Sequence, residues 1–304
     1  MTAWIDAFAP AFGLLILGAV LRARLLRDDA VWAGIERLVF WVLLPCLLAA
    51  SISSVDLMAL PFGRMAAVFW VALLSGTALS LLVARVLGLG HPAMTSVLQG
   101  GIRFNNLMGF AIAGSVFGRE GLVLGAVATG LIVPCVQVVT TLAFAFGRGV
   151  RPRPLAVARQ VLLNPLIIGC AVGFAVALLG GMPPGIGPML RVLGNASVAL
   201  GLLTVGAALS ADAMRDRLKL QAVTGALKLM VMPLLTWGLA MAFGLGPLPT
   251  AISVLFMALP TAATSYVMAR AMGGDAPLMA AITTTEHIAA VLTLPLWVLL
   301  LTSP

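Results

Sequence analysis

The sequence predicts an all-α polytopic membrane protein with ten transmembrane helices. They form two inverted five-helix repeats, in which the fourth and ninth helices are discontinuous and cross each other. Three observations lead to this fold class. The 304 residues are 62% hydrophobic and 9% charged, whereas soluble domains have roughly 25% charged residues. Ten apolar runs have about the twenty residues that a membrane-spanning helix needs. Two of these runs are interrupted at corresponding places in the two halves.

The ten predicted spans are joined by linkers too short for a soluble domain. They cover residues 5–23, 33–53, 64–86, 94–117, 121–146, 158–180, 188–210, 218–243, 248–271 and 276–301. A basic linker (148–157) separates a first repeat (1–147) from a second repeat (158–304). Because each repeat holds an odd number of spans, the two copies enter the membrane from opposite sides, as in many secondary transporters.

The distribution of cations predicts the orientation. Twelve Lys and Arg residues lie in the connections on one side of the membrane and three on the other, and Arg37, Arg103 and Lys228 lie within spans. By the positive-inside rule the twelve are cytoplasmic, so we expect a multi-pass protein of the bacterial inner membrane with both termini outside. Since the net charge of +8 lies in short loops of a membrane protein, it does not indicate a nucleic-acid partner.

The first interruption is Gly101-Ile-Arg-Phe-Asn-Asn-Leu-Met-Gly109 in the fourth span. Asn105, Asn106 and Gly109 are poor residues for a helix interior. The second is Ala258-Leu-Pro-Thr-Ala-Ala-Thr-Ser265 in the ninth span, where Pro260 removes a backbone donor. Asn105 and Pro260 are 155 residues apart, about half the chain.

Together the interruptions predict a substrate site. A helix that resumes near the membrane midplane presents unsatisfied N–H groups and the positive end of its dipole, which favours a carboxylate. The predicted substrate-binding residues are Arg103, Asn105, Asn106, Gly109, Pro260, Thr261, Thr264 and Ser265. The alternative is that the amides bond neighbouring helices and Pro260 only kinks one.

Intramembrane charge adds two candidates. Thr95, Gln99 and Arg103 share one face of the fourth span, and Arg103 either binds a substrate carboxylate or neutralises Glu286 in a structural ion pair. Glu286 shares a helix face with Thr283. It is a candidate for ion coupling, through a proton or a sodium site, together with Thr283 and Gln99.

Three neighbouring residues have open interpretations. Glu286 could instead form a salt bridge with Arg103 or Lys228. Lys228 lies near enough to the cytoplasmic end of its span for its ammonium to snorkel to the surface. His287 is either a hydrogen-bonded contact between helices or a proton relay.

These residues resemble the auxin efflux carrier family, which includes bacterial permeases for malate or malonate and is grouped with the bile-acid sodium symporters. The matching segments are Arg103-Phe-Asn-Asn-Leu-Met-Gly109, Leu229-Met-Val-Met-Pro-Leu-Leu235, Ala258-Leu-Pro-Thr-Ala-Ala-Thr-Ser-Tyr-Val-Met-Ala269, Thr283-Thr-Thr-Glu and Leu292-Thr-Leu-Pro295. The resemblance implies inverted five-helix repeats, a crossover of the fourth and ninth helices, and alternating access by an elevator-like motion. This chain departs from many members in lacking a proline soon after Gly109 and in the acidic Glu286.

The function predicted is therefore secondary active transport of a small organic anion, a carboxylate, coupled to Na+ or H+. No cofactor is expected, and the partners are the substrate and the lipid bilayer, with a homodimer left open. A membrane-embedded enzyme is disfavoured because the sequence has no His-Glu-x-x-His and no Gly-x-Ser-x-Gly. A membrane sensor or scaffold is disfavoured because no loop or tail is large enough to transmit a signal.

Overall fold

The computed structural model describes residues 2–53, 61–147, 154–210, 212–215 and 217–302. These residues are helical almost throughout and form no β-strand. The helices are α1 Thr2–Arg24, α2 Asp29–Leu38, α3 Leu44–Ile52, α4 Phe62–Val86, α5 His91–Ile102, α6 Asn106–Gly147, α7 Pro154–Leu162, α8 Pro165–Leu178, α9 Ile186–Ala208, α10 Leu218–Ala226, α11 Met232–Ala242, α12 Pro247–Ala258, α13 Thr264–Met272 and α14 Ala276–Thr302. Most of the predicted basic linker, residues 148–153, lies outside the described residues.

Both predicted interruptions are present. The fourth predicted span is divided into α5, which ends at Ile102, and α6, which begins at Asn106. The ninth is divided into α12, which ends at Ala258, and α13, which begins at Thr264. Helix α6 itself turns at Gly118, whose φ of 61° and ψ of −146° suit glycine, and this turn separates the predicted fourth and fifth spans.

The predicted span 158–180 differs from the structure. Two helices, α7 and α8, replace it, because Asn164 leaves the helical conformation. The Asn164 side chain accepts a hydrogen bond from the backbone N–H of Leu166, and Pro165 occupies the first position of α8. This is a typical N-cap followed by a proline that needs no backbone donor.

Six stretches of described helix are long and apolar enough to cross a membrane. They are Asp29–Ile52, Phe62–Val86, His91–Phe146, Ile186–Ala208, Leu218–Ala242 and Ala276–Thr302, and the shorter helices α8 and α12 are also apolar. The chain is therefore a multi-pass membrane protein in length and composition, while the count of ten spans and the inverted repeat stay predictions.

A wide helical turn at Leu227–Val231 joins α10 to α11 without a break. Pro233 follows it and has no N–H to donate to the carbonyl of Leu229, four residues earlier. The indole N–H of Trp297 donates to that carbonyl at 2.8 Å instead. The proline thus frees a carbonyl that α14 uses, which fixes α14 against the segment containing Lys228.

The chain forms two compact units, and each takes helices from both halves of the sequence. Unit 1 comprises Met1–Phe62, Leu107–Val133 and Arg159–Ala208, and unit 2 comprises Gly63–Asn106, Pro134–Ala158 and Leu209–Pro304. Within unit 1, α1 packs on α9 and α3 packs on α8 and α9. Within unit 2, α14 packs on α5, α10, α12 and α13. The non-helical residues of both interruptions, 103–105 and 259–263, lie in unit 2.

Candidate functional site

The two interruptions are in direct contact within unit 2. The backbone N–H of Asn105 donates to the carbonyl of Pro260 at 2.8 Å. Asn105 and Pro260 are both buried. Each interruption thus satisfies a backbone group that the other helix break exposes, which is what a membrane interior requires.

Asn106 and Gly109 have different positions. Asn106 is the first residue of α6 and is half-buried. Gly109 lies buried in the first turn of α6 and belongs to unit 1, whereas the other predicted substrate residues belong to unit 2.

Arg103 directs its guanidinium at the start of α13. One terminal nitrogen, Nη2, donates to Thr264 Oγ1 at 2.8 Å, and the other lies 3.1 Å from Met268 Sδ. Among the described residues no acidic group approaches Arg103 within salt-bridge distance, and a direct ion pair with Glu286 is not formed. The cation of Arg103 is therefore held by neutral groups at a helix N-terminus.

The start of α13 differs from the expectation in one respect. The amide groups of Ser265 and Tyr266 are not left open, because they donate to the carbonyls of Ala262 and Ala263 at 3.0 and 3.1 Å. This tight first turn uses donors that the sequence analysis assigns to a substrate. The dipole of α13 and the guanidinium of Arg103 remain as the sources of positive potential here.

Thr261 links the two parts of the site. Its backbone N–H donates to Glu286 Oε2 at 2.8 Å. Its hydroxyl donates to the carbonyl of Gln99 at 3.2 Å and accepts from Ser265 Oγ at 3.1 Å. The second interruption is therefore bonded to α5, to α13 and to the carboxylate on α14.

His287 connects the first interruption to α14. Its Nδ1 lies 2.8 Å from the carbonyl of Thr283, and its Nε2 lies 3.0 Å from Asn105 Nδ2. A carbonyl only accepts, so Nδ1 carries the proton and Nε2 accepts from the amide of Asn105. Of the two interpretations of His287, the structure shows the hydrogen-bonded contact between helices. Thr283 makes two contacts: its carbonyl accepts from His287, and its hydroxyl donates to the carbonyl of Met279 in the same helix.

The burial of Lys228 contradicts one expectation from the sequence. Its side chain is completely buried, so the prediction that its ammonium snorkels to the cytoplasmic surface is wrong. The wide turn Leu227–Val231 and the contact of Trp297 with Leu229 hold this segment against α14. Lys228 lies three residues beyond Gly225, which packs against Glu286, but no nitrogen–oxygen distance between the side chains of Lys228 and Glu286 is within 4.0 Å.

Sequence reasoning missed the residues that let the helices approach Glu286. A Cβ added to Gly100 would lie 2.5 Å from Thr224 Cγ2 and 3.3 Å from Glu286 Oε1, and one added to Gly225 would lie 3.9 Å from Glu286 Cγ. Gly100 allows the close packing of α5 against α10 and α14, whereas the contact at Gly225 is an ordinary van der Waals distance. Thr224 and Gly225 precede Lys228 by four and three residues, which places them on the same helix face as Lys228. This spacing was the signal in the sequence that could have identified them.

Comparison with known proteins supports the assignment of a class. The family described as "Membrane transport protein" matches residues 5–298. An "Uncharacterized transporter" of Methanothermobacter thermautotrophicus is 23% identical over 291 residues, covering 93% of this chain and 94% of that protein. A family of membrane transporters is consistent with a protein that is not an enzyme. The chain therefore belongs to the membrane transport protein family, which is the auxin efflux carrier family predicted from its motifs.

Proposed function

We propose that the protein is a secondary active transporter of a small organic anion, with a carboxylate bound by Arg103 at the start of α13. The observation that supports this most strongly is the environment of Arg103, whose guanidinium contacts Thr264 and Met268 and, among the described residues, no carboxylate. An intramembrane cation without a protein counter-ion is costly. A bound anion would supply the missing charge through two parallel hydrogen bonds to the guanidinium.

We assign the remaining predicted residues of unit 2 to the same site. Asn105 and Asn106 begin the segment that follows Arg103, and Pro260, Thr261 and Ser265 belong to the segment that Asn105 contacts. We propose that they position the carboxylate. We also propose alternating access of the elevator type, as the family resemblance implies, in which unit 2 holds the substrate.

Counterflow in proteoliposomes tests the substrate class. Vesicles are loaded with unlabelled malonate, and uptake of external [14C]malonate is measured with and without excess mono- and dicarboxylates. The assay is repeated with each carboxylate as both the internal and the labelled external compound, and we expect at least one of them to exchange and other carboxylates to compete with it. If neutral sugars or amines compete and no carboxylate does, the anion proposal is wrong.

We propose that the termini face outward, as the cation count predicts. Single cysteines at two exposed positions on opposite predicted sides, Arg119→Cys and Lys219→Cys, test this in a variant without Cys46, Cys135 and Cys170. A membrane-impermeant maleimide should label position 119 from outside and position 219 only after the membrane is opened. The reverse pattern would invert the topology.

A further inference from the structure

Unit 2 contains a group of buried polar atoms that have no hydrogen-bond partner. They are both side-chain atoms of Gln99, Thr224 Oγ1, Lys228 Nζ, Ser253 Oγ, Glu286 Oε1 and Thr293 Oγ1. Buried polar atoms are normally satisfied, and an unsatisfied one costs about 1–3 kcal/mol. Several such atoms in one unit of a membrane protein indicate a site whose occupant binds and leaves.

Three helices, α5, α10 and α14, meet at Glu286. Glu286 and Thr293 are seven residues apart on one face of α14. Gly100 and Gly225 place α5 and α10 against the Glu286 side chain, with Thr224 on the approaching face. One carboxylate oxygen, Oε2, is held by the N–H of Thr261, and the other, Oε1, is open.

The donor set is typical of a cation site. Hydroxyl, amide and carboxylate oxygens are the ligands of hard cations. The cation present here is part of the protein, because the ammonium of Lys228 is fully buried and Lys228 lies about one helical turn beyond Gly225, which packs against Glu286. An ammonium has the same charge as Na+, so a sodium ion beside the same carboxylate would be repelled.

We infer that Glu286 and Lys228 form the coupling centre, that the buried positive charge of Lys228 excludes sodium from this carboxylate, and that the transporter is driven by protons. This inference rests on the proposed transport function and names its coupling ion. A proton from water binds Glu286 Oε1 and forms an O–H bond, while Lys228 stays protonated. The net charge of the pair then changes from zero to +1.

The contacts of Thr261 connect protonation of Glu286 with the segment that binds the substrate. Protonation removes the negative charge from Glu286 and weakens the bond from the Thr261 N–H, because hydrogen bonds to ionised acceptors are the stronger ones. Thr261 is bonded to Ser265, and the next residue back, Thr264, holds Arg103. Proton binding on α14 therefore changes the segment that positions the anion.

The other ionisable groups near α14 have separate roles. On α14 itself His287 bonds Asn105, and from the end of α5 Arg103 bonds Thr264. His91 on α5 bonds the carbonyl of Ala143, and Asp275 before α14 pairs with Arg217. The other described ionisable residues on helices packed against α14 are the exposed residues Lys219, Tyr266, Arg270 and Arg215. Asp212 also lies there, in the short helix Asp212–Arg215. Helix α12 has no ionisable residue.

Gradient experiments on the wild-type protein test the coupling ion. Proteoliposomes take up [14C]malonate under an imposed pH gradient, and separately under a sodium gradient with no pH difference. We expect accumulation with the pH gradient and none with sodium. Accumulation driven by sodium alone would overturn the inference.

The variant Glu286→Gln separates proton coupling from substrate exchange. We expect it to lose accumulation driven by the pH gradient and to retain malonate counterflow that is reduced, because the contact with Thr261 is weaker, but does not respond to the pH gradient. The control Glu120→Gln removes an exposed carboxylate and should retain both. If Glu286→Gln still accumulates malonate, Glu286 is not the proton carrier. If the wild-type protein exchanges no carboxylate, the proposed function fails instead.

Sodium binding to Lys228→Met is measured without any substrate. Removing the ammonium leaves Glu286 with the open oxygens, so we expect NaCl, but not choline chloride, to raise the Tm. A ligand at ten times its Kd should raise the Tm by about 2 to 4 °C. The double variant Lys228→Met with Glu286→Gln and the exposed control Lys219→Met should show no sodium-specific shift. A sodium-specific shift in the wild type, or none in a folded Lys228→Met, would contradict the inference. If Lys228→Met does not fold, the wild-type gradient comparison decides.

Discussion

The interiors of the two units are built from different chemistry. In unit 1 the buried polar side chains that the structure describes are Ser53, Thr129, Ser197 and Thr204. Each donates to a carbonyl of its own helix three or four residues earlier. In unit 2 the buried side chains include Lys228, Glu286 and His287, together with all of the described unpartnered polar atoms. The buried polar side chains of unit 1 are satisfied within their own helices, whereas unit 2 retains costly ionisable groups of the kind found at functional sites.

Close backbone packing takes the place of polar contacts in unit 1. A Cβ on Gly18 would collide with the carbonyl of Leu203, and one on Gly206 with the carbonyl of Leu15, so α1 and α9 pack backbone to backbone. Small residues at such contacts are how membrane helices associate without a hydrophobic driving force. Changes in unit 1 should therefore affect folding, and changes at the site in unit 2 should affect transport.

The largest effect is expected from Gly18→Ala. The added methyl meets the backbone of Leu203, which cannot rotate away, so the two helices must separate. Overpacking usually costs about 1–3 kcal/mol, and the rigid obstacle places this change at or above the upper end. Thermal unfolding in detergent measures it. Gly13→Ala on the same helix meets nothing within 4 Å and is the control; equal Tm values for both variants would refute the packing argument.

The second effect is the loss of transport in Asn105→Ala. The change leaves His287 Nε2 without its donor, at a cost of about 1–3 kcal/mol, and removes the side chain that ties the first interruption to α14. We expect malonate counterflow at the background level with near-normal expression. The exposed Asn195→Ala in unit 1 should exchange at the wild-type rate. Wild-type counterflow in a folded Asn105→Ala would remove this contact from the mechanism.

The sequence predicts the helix breaks better than it predicts the chemistry around them. Asn105 and Pro260 were identifiable because amides and proline are conspicuous in apolar segments, and their contact follows from backbone groups that need partners. Lys228 was misplaced because depth in the membrane was judged from chain position alone. The wide turn before Pro233 and the indole of Trp297 fix its burial, and both depend on contacts distant in sequence.

Arg103→Lys should have a smaller and more selective effect. An ammonium keeps the charge but cannot form the two parallel hydrogen bonds of a guanidinium with a carboxylate. We expect the apparent Kd for the transported carboxylate to rise about tenfold, which corresponds to about 1.4 kcal/mol, with little change in the maximal exchange rate. Concentration-dependent counterflow separates the two quantities. The exposed Arg270→Lys is the control, and an unchanged Kd in Arg103→Lys would mean that Arg103 does not bind the anion.

The smallest effect, from Thr261→Ala, divides the contributions of one residue in unit 2. The substitution removes the hydroxyl that bonds the Gln99 carbonyl and Ser265 Oγ but keeps the backbone N–H that donates to Glu286. A neutral hydrogen bond contributes about 1 kcal/mol, so we expect roughly a fivefold loss of counterflow with coupling to the pH gradient preserved. Thr261→Ser keeps the hydroxyl and should restore exchange. Thr204→Ala in unit 1 removes a buried hydroxyl that bonds only the carbonyl of Gly201 in its own helix, so it should leave exchange close to wild type. If Thr204→Ala reduces exchange as much as Thr261→Ala, the loss of a buried hydroxyl lowers exchange wherever it occurs. The hydroxyl network of unit 2 then has no special part in transport.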